Sequence, residues 1–185
     1  MRLYRIKKFF SMVKAFAVST SRHISIKSIQ KCYIHKNATL SSNGFLEIGS
    51  CEVLPNALIS AAVNEAHLSL GENTYIGRNT IIACRKRINI GNNVLIGPNV
   101  LIYDHDHNYD EHGRKPANME DAYKIGEVAI EDNVWIGGGV IILRNSHIGK
   151  NSIIGAGVLV KGTVPENSIV TKKEDITTCL LERQK

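Results

Sequence analysis

The sequence predicts an all-β solenoid, a parallel β-helix, and three observations carry that prediction. Aliphatic residues recur at every sixth position: Ile130, Ile136, Ile142, Ile148, Ile154 and Val160 follow one another without a slip. The next residue is repeatedly glycine (Gly49, Gly71, Gly77, Gly91, Gly97, Gly137, Gly149, Gly155). The fourth residue is repeatedly asparagine (Asn37, Asn43, Asn73, Asn79, Asn93, Asn99, Asn133, Asn145, Asn151) or glycine (Gly139, Gly157). A helix cannot hold a period of six with Gly or Asn in each unit, and plain strand alternation leaves the Gly/Asn phase unexplained. Short flat strands joined by identical turns explain both, because Asn and Gly tolerate the left-handed backbone that such a turn needs.

The elements follow in chain order. Residues 1–31 read as a basic amphipathic N-terminal arm. Up to residue 46 the chain has nine cationic residues and no acid, so the formal charge of +6 reports the arm and not the body. Leu3, Ile6, Phe9, Phe10 and Val13 recur at helical spacing, with Arg2, Arg5, Lys7, Lys8 and Lys14 opposite. Such a helix either packs on the main domain or a sister subunit, or lies on a membrane surface through residues 1–20. It carries no known nucleic-acid motif, so no nucleic-acid partner is expected.

Residues 32–165 form the predicted solenoid domain. Its sixteen hexapeptides are marked by Ile34 and Leu40; Ile48 and Leu54; Leu70, Ile76 and Ile82; Ile90, Ile96 and Ile102; and the six from Ile130 to Val160. The fifth position is small or β-branched (Thr74, Thr80, Val94, Val134, Ser152). Three such units close one triangular coil, which buries its inner face only against neighbouring coils. Between the last two groups, residues 106–124 leave the coil as an excursion loop, polar and containing Gly and Pro. Residues 166–185 are a C-terminal tail.

Length and composition exclude a disordered chain, and no stretch has the roughly 20 apolar residues of a membrane-spanning helix. Cys32, Cys51, Cys84 and Cys179 lie far apart without a CxxC pair, which suits buried thiols in a reducing compartment. A cytoplasmic location is expected, with peripheral contact on the inner face of the membrane if the arm binds there.

A regular solenoid does no chemistry by itself, so its interruption is where function is sought. The run Tyr103-Asp104-His105-Asp106-His107-Asn108-Tyr109-Asp110 opens the excursion. Three readings stand on the residues alone: an imidazole base acting on a hydroxyl, a metal site using His105, His107, His112 and distant His147, or a solvated polar cap. Asp104, Asp106 and Asp110 are each placed to hold an imidazole tautomer. His105 occupies the fourth, turn-forming position of its unit. Arg85, Lys86 and Arg87 fall in an irregular insertion, read as a solvated loop or as a basic edge of the site. The second constellation is Asn133-Val134-Trp135-Ile136-Gly137-Gly138-Gly139, with the single tryptophan expected outward at a corner, and the third is Gly155-Ala156-Gly157-Val158-Leu159-Val160-Lys161. On the residues alone these glycines serve either the repeat or the close approach of a ligand.

These three constellations resemble the hexapeptide-repeat acyltransferase family, and among its members the sugar and polysaccharide O-acetyltransferases. The resemblance covers about residues 34–165. It implies a left-handed parallel β-helix, an acetyl-CoA cosubstrate, no required metal, a homotrimer, and transfer of an acetyl group to a hydroxyl of a sugar or surface polysaccharide. It implies His107 as the catalytic base, with Asp110 three residues on, and His105 as the alternative base. Trp135, Gly137, Gly138, Ala156, Gly157 and Lys161 are implied as coenzyme contacts, and Asn79 and Asp104 as acceptor contacts. An N-acyltransferase acting on an amino sugar or nucleotide sugar is the close alternative. A metal hydratase of the gamma carbonic anhydrase type and a non-catalytic scaffold are the remaining ones. One departure stands out: after Val164-Pro165-Glu166-Asn167-Ser168, the family's Gly-x-Pro-Ala-Lys/Arg loop is replaced by Ile169-Val170-Thr171-Lys172-Lys173.

Overall fold

The computed structural model describes residues 23–109 and 122–172. Three parallel sheets form the faces of a prism, two of seven strands and one of six. Face A comprises Ile24–Ile26, Phe45–Ile48, His67–Leu70, Arg87–Ile90, Glu127–Ile130, Ser146–Ile148 and Thr163–Val164. Face B comprises Cys32–Ile34, Cys51–Val53, Thr74–Ile76, Leu95–Ile96, Trp135–Ile136, Ile153–Ile154 and Ile169–Val170. Face C comprises Thr39–Ser42, Leu58–Ala61, Ile81–Cys84, Leu101–Tyr103, Ile141–Ile142 and Leu159–Val160. The chain visits A, B and C in turn through about seven coils, the parallel β-helix that the hexapeptide period predicts, with the left hand that the family resemblance implies. Most of the amphipathic arm (residues 1–22), Asp110, and most of the tail (residues 173–185) lie outside the described residues.

The period-six aliphatics form the core. Ile48, Ile76, Ile82, Ile96, Ile102, Ile136, Ile142, Ile148 and Ile154 are completely buried. The fifth-position residues, from Thr74 and Thr80 to Ser152 and Val158, are buried beside them. Each buried Ile contributes about 1.5–3 kcal/mol relative to exposure, but only while the coils above and below are in place. Left-handed turns sit at Asn37, Asn73, Asn79, Asn93, Asn99, Asn133, Asn145, Asn151, Gly139 and Gly157, as the repeat predicts. The asparagine amides also bond along the axis. Asn73 donates to Asn93, Asn93 to Asn133, Asn133 to Asn151 and Asn151 to Asn167, at 2.9–3.1 Å. The glycines after the aliphatics answer a second need: a Cβ on Gly77 would lie 2.3 Å from the Gly97 backbone of the next coil.

The structure departs from the sequence reading at several positions. Leu54 is not the stacked residue of its unit: Val53 is fully buried and registers with Ile76. Asn43 has no positive φ, whereas Asn56 and Asn167, outside the assigned phase, do. His105 is a strand residue and not a turn residue, since residues His105–His107 pair antiparallel with Tyr123–Ile125. The solenoid begins at Ile24, inside the segment assigned to the arm, and its last strand reaches Val170, inside the tail. Cys32 and Cys51, distant in sequence, are register neighbours with Sγ atoms 2.9 Å apart in the core.

Candidate active site

The excursion leaves from the corner between faces C and A. Its first and last residues pair as the ribbon His105–His107 with Tyr123–Ile125, and the Gly126 N–H donates to the Asp104 carbonyl at 2.7 Å, closing its root. The coil before the excursion and the coil after it stay in register, Arg87 with Glu127 and Leu101 with Ile141. The prism is therefore continuous across the insertion, and the ribbon at its root stands at one corner.

Asp104 anchors that root. Its carboxylate is completely buried and accepts the backbone N–H groups of Arg85 (2.9 Å), Lys86 (2.7 Å) and Arg87 (2.9 Å) from the preceding coil. The Cys84 thiol lies 3.3 Å away, and Asp104 Oδ1 is 2.9 Å from His105 Nδ1. Burial alone pushes this carboxyl up, but hydrogen bonds from His105, Lys86, Arg85 and Cys84 outweigh it and hold the carboxyl below its ordinary range. The same burial, with the Asp104 charge, pushes the Cys84 thiol up. A fully buried side chain cannot touch an acceptor, so Asp104 positions backbone and His105 and does not bind substrate itself.

His107, at the end of the first ribbon strand, is exposed. Its ring lies 4.8 Å from the ring of Tyr123, its cross-strand partner. The Arg85 guanidinium sits over the same Tyr123 ring, 3.6 Å from its centre, and His105 meets it edge-on at 5.5 Å. His105 also packs edge-on to Tyr103 at 5.8 Å, and its side chain is only 15% exposed. Asp106 pairs with Arg144 Nε at 2.5 Å, and Lys86 with Glu127 at 2.9 Å. Of the carboxylates named for the tautomer, the structure gives Asp104 to His105 and Asp106 to Arg144. His147, one of the metal-ligand possibilities, lies on face A and pairs with Glu131 at 2.7 Å. Among the described residues no three His, Cys, Asp or Glu side chains converge as a metal site.

The residues implied for the coenzyme lie elsewhere on the prism. Gly137, Gly138, Ala156 and Gly157 occupy the corner between faces B and C, on the two coils after the excursion. Ala156 and Gly157 are exposed, and nothing lies within 4 Å of where a Gly157 Cβ would be, so a ligand can lie against this ledge. Gly137 is accounted for by packing instead, since its Cβ would fall 2.6 Å from the Ala156 N. Trp135 is 52% exposed but stands within a face B strand and not at a corner, in register with Leu95 and Ile153. Lys161 is at the C–A corner, apart from the glycine ledge. Asn79 is at the B–C corner with φ +57°, accepting from Asn56 at 3.2 Å and donating to Asn99 at 3.1 Å. Its amide thus serves the ladder, and one protomer does not bring it to His107. A groove of about 470 Å³ over face A, lined by Glu47, Ser69, Asn89 and Glu131, also lies at the far edge from the excursion.

The sequence pattern does not reveal Tyr123 or the Asp104 anchor, and it leaves Arg85 open between a solvated loop and an edge of the site. A signal existed for the anchor: Cys84 and Asp104 stand 20 residues apart, the length of one coil here.

Comparison with known proteins agrees with this architecture. Residues 127–162 match the bacterial transferase hexapeptide (six repeats). A galactoside O-acetyltransferase of Lactococcus lactis is 47% identical over 58 residues, 31% of this chain and 26% of that one. An acetyltransferase candidate of Saccharomyces cerevisiae is 39% identical over 124 residues, 61% of each chain. The chain therefore spans less than two thirds of the length of these relatives. Among solved structures, an N-acyltransferase from Bacillus cereus in complex with dTDP and coenzyme A superposes with a TM-score of 0.69 at 18% identity, over 84% of this chain and 82% of that one. A hexapeptide-repeat acetyltransferase from Vibrio cholerae complexed with acetyl coenzyme A gives 0.57 at 21% identity, over 89% and 81%. At these identities the structural likeness speaks to the fold.

Proposed function

We propose that this chain, which belongs to the hexapeptide-repeat transferases, is an O-acetyltransferase that moves an acetyl group from acetyl-CoA to a hydroxyl of a sugar or surface polysaccharide. The observation that carries the reading is the exposed His107 imidazole at the corner where the excursion interrupts the solenoid, in tilted ring contact with Tyr123, over which Arg85 lies. An imidazole is suited to take a proton near neutral pH.

Acetyl-CoA, when bound, supplies the acyl group already activated as a thioester. His107 accepts the proton of the attacking hydroxyl and returns it to the departing thiol, so one base serves both steps and no covalent acyl-enzyme is required. Tyr123 fixes the plane of that imidazole. Asp104 holds His105 and the backbone of residues 85–87, which places two of Tyr123's three ring neighbours, His105 and Arg85, on a rigid base. The exposed Ala156–Gly157 ledge and Trp135 suit the pantetheine arm, with Lys161 toward the phosphates. Asp110, three residues on from His107, lies outside the described residues, and His105 is the alternative base. Asn79 is retained as an acceptor contact only across a subunit boundary.

The two halves of the proposed site stand at different corners of one prism. That division supports a homotrimer, in which the C–A corner of one subunit faces the B–C corner of the next. Location in the cytoplasm, with the basic arm on the inner membrane surface, belongs to the same proposal; among the described residues no helix is long and apolar enough to cross a membrane. The test is thiol release from acetyl-CoA over a panel of sugar acceptors with wild type, His107→Ala and His105→Ala. Acceptor-dependent release lost only in His107→Ala supports the reading. Full activity in His107→Ala refutes the base assignment, and no release with no coenzyme binding refutes the activity.

A further inference from the structure

The proposed reaction leaves unexplained the Arg85 guanidinium stacked on Tyr123. Around the mouth of the site Lys86 pairs with Glu127, Arg144 with Asp106, and Lys124 lies over the Tyr109 ring at 5.4 Å; among the described residues Arg85 is the cation placed over Tyr123. Arg85 is half-buried, its backbone N–H is fixed on Asp104, and its guanidinium carbon lies over the Tyr123 ring. It has no carboxylate partner among the described residues. A guanidinium stacked in this way keeps its N–H edge free for bidentate contact with an oxyanion. Tyr123 carries Arg85 at 3.6 Å and His107 at 4.8 Å, so the cation and the proposed base are no farther apart than those two separations end to end. A single substituted sugar ring bridges that span.

Height along the axis separates this cation from the coenzyme. Arg85 belongs to the coil before the one that opens the excursion, whereas Gly137, Ala156 and Lys161 belong to the two coils after it. We infer that Arg85 is an acceptor-specificity residue, and that the acceptor is an anionic sugar whose oxyanion, a carboxylate or a phosphate, pairs with it while its hydroxyl faces His107. This rests on the acetyltransferase reading.

The experiment compares D-glucose, D-glucuronate and D-glucose 1-phosphate as acceptors for wild type, Arg85→Gln and Arg85→Lys. Because the Asp104 bond to residue 85 is made by its backbone, the side-chain change leaves the turn anchored; circular dichroism verifies the fold. The anionic acceptors are expected to show a lower KM than glucose in wild type. Arg85→Gln should raise that KM about 10- to 100-fold more than it raises the KM for glucose, the factor carried by one charge-assisted hydrogen bond, and any change in kcat should be common to all three sugars. Arg85→Lys should recover part of the loss. Preference for glucuronate or for the phosphate names the oxyanion. Equal KM for all three sugars, or an equal effect of Arg85→Gln on each, overturns the inference while His107-dependent release leaves the acetyltransferase reading standing. If no acceptor is turned over, that reading fails, and saturation-transfer NMR with the same sugars decides the anion site. Binding of an anionic sugar that Arg85→Gln abolishes supports it, and binding indifferent to charge or to Arg85 overturns it.

Discussion

Substituting Asp104 by asparagine isolates what its charge contributes. In wild type one buried carboxylate accepts three consecutive backbone N–H groups and faces His105 Nδ1 at 2.9 Å. Asparagine has the same shape but keeps one oxygen. The best arrangement leaves that oxygen at the Oδ2 position, which already reaches Lys86 at 2.7 Å, Arg87 at 2.9 Å and Arg85 at 3.0 Å. The amide nitrogen then points at His105 Nδ1, which must become an acceptor. All three backbone bonds survive but fall from charge-assisted to neutral, a loss of about 1 kcal/mol each and about 3 kcal/mol in all. The variant therefore folds less stably, and its His105 carries the proton on Nε2. Urea denaturation followed by circular dichroism reads the first effect, and amide exchange at residues 85–87 reads it locally, which matters because a solenoid need not unfold in one step. Imidazole nitrogen NMR reads the tautomer. Because the folded Asp104 pKa lies below its unfolded value, its stabilisation is full above the unfolded pKa and is lost as pH falls through the folded one. The variant lacks that acid limb. A stability loss under about 1 kcal/mol, with His105 unchanged and exchange at residues 85–87 unaltered, would refute the anchor.

Further expectations test the proposed base and the stacked core. His107→Ala should lower turnover by about 10²- to 10⁴-fold while calorimetric coenzyme A affinity stays constant, as for loss of a general base outside the coenzyme ledge. Ile136→Ala removes a fully buried side chain and should cost about 2–5 kcal/mol in denaturation, whereas Leu159→Ala, 59% exposed, should stay within about 0.5 kcal/mol in the isolated protomer. Gly97→Ala would place a Cβ 2.7 Å from the Gly138 N of the next coil, and since neither backbone can retreat, a loss of about 2 kcal/mol or more is expected by the same method.

The solenoid was legible because its physics repeats. A buried aliphatic, a glycine that lets the next coil approach, and a left-handed Asn are each demanded again at every corner, so a local pattern carries global information. The reading slipped where coil length changes. Face B registers Cys32 with Cys51 and Cys51 with Thr74, steps of unequal length, and in that stretch Leu54 lost its place to Val53. The same variation hid the Cys32–Cys51 contact, because no fixed spacing announces neighbours when the coil is not a fixed number of residues.

The chemistry was legible only as a location. The broken repeat and its histidines marked the corner, but which carboxylate holds which group depends on the coil below and on ribbon pairing, and the repeat encodes neither. Asp104 resembles a loop acid in sequence, yet register puts it against the N–H groups of residues 85–87 and removes it from solvent. Tyr123 is a lone aromatic until the antiparallel pairing of His107 with it, across fifteen intervening positions, brings Arg85 and His107 onto one ring. The Asp104–His105 pair is consequently the more finished hydrogen-bonded unit, while His107 is the more accessible imidazole. A proton acceptor must reach its substrate, and His105, at 15% side-chain exposure and already facing a carboxylate, is placed to support the ribbon rather than to meet a sugar. Accessibility is therefore the ground on which His107, and not His105, is proposed as the base.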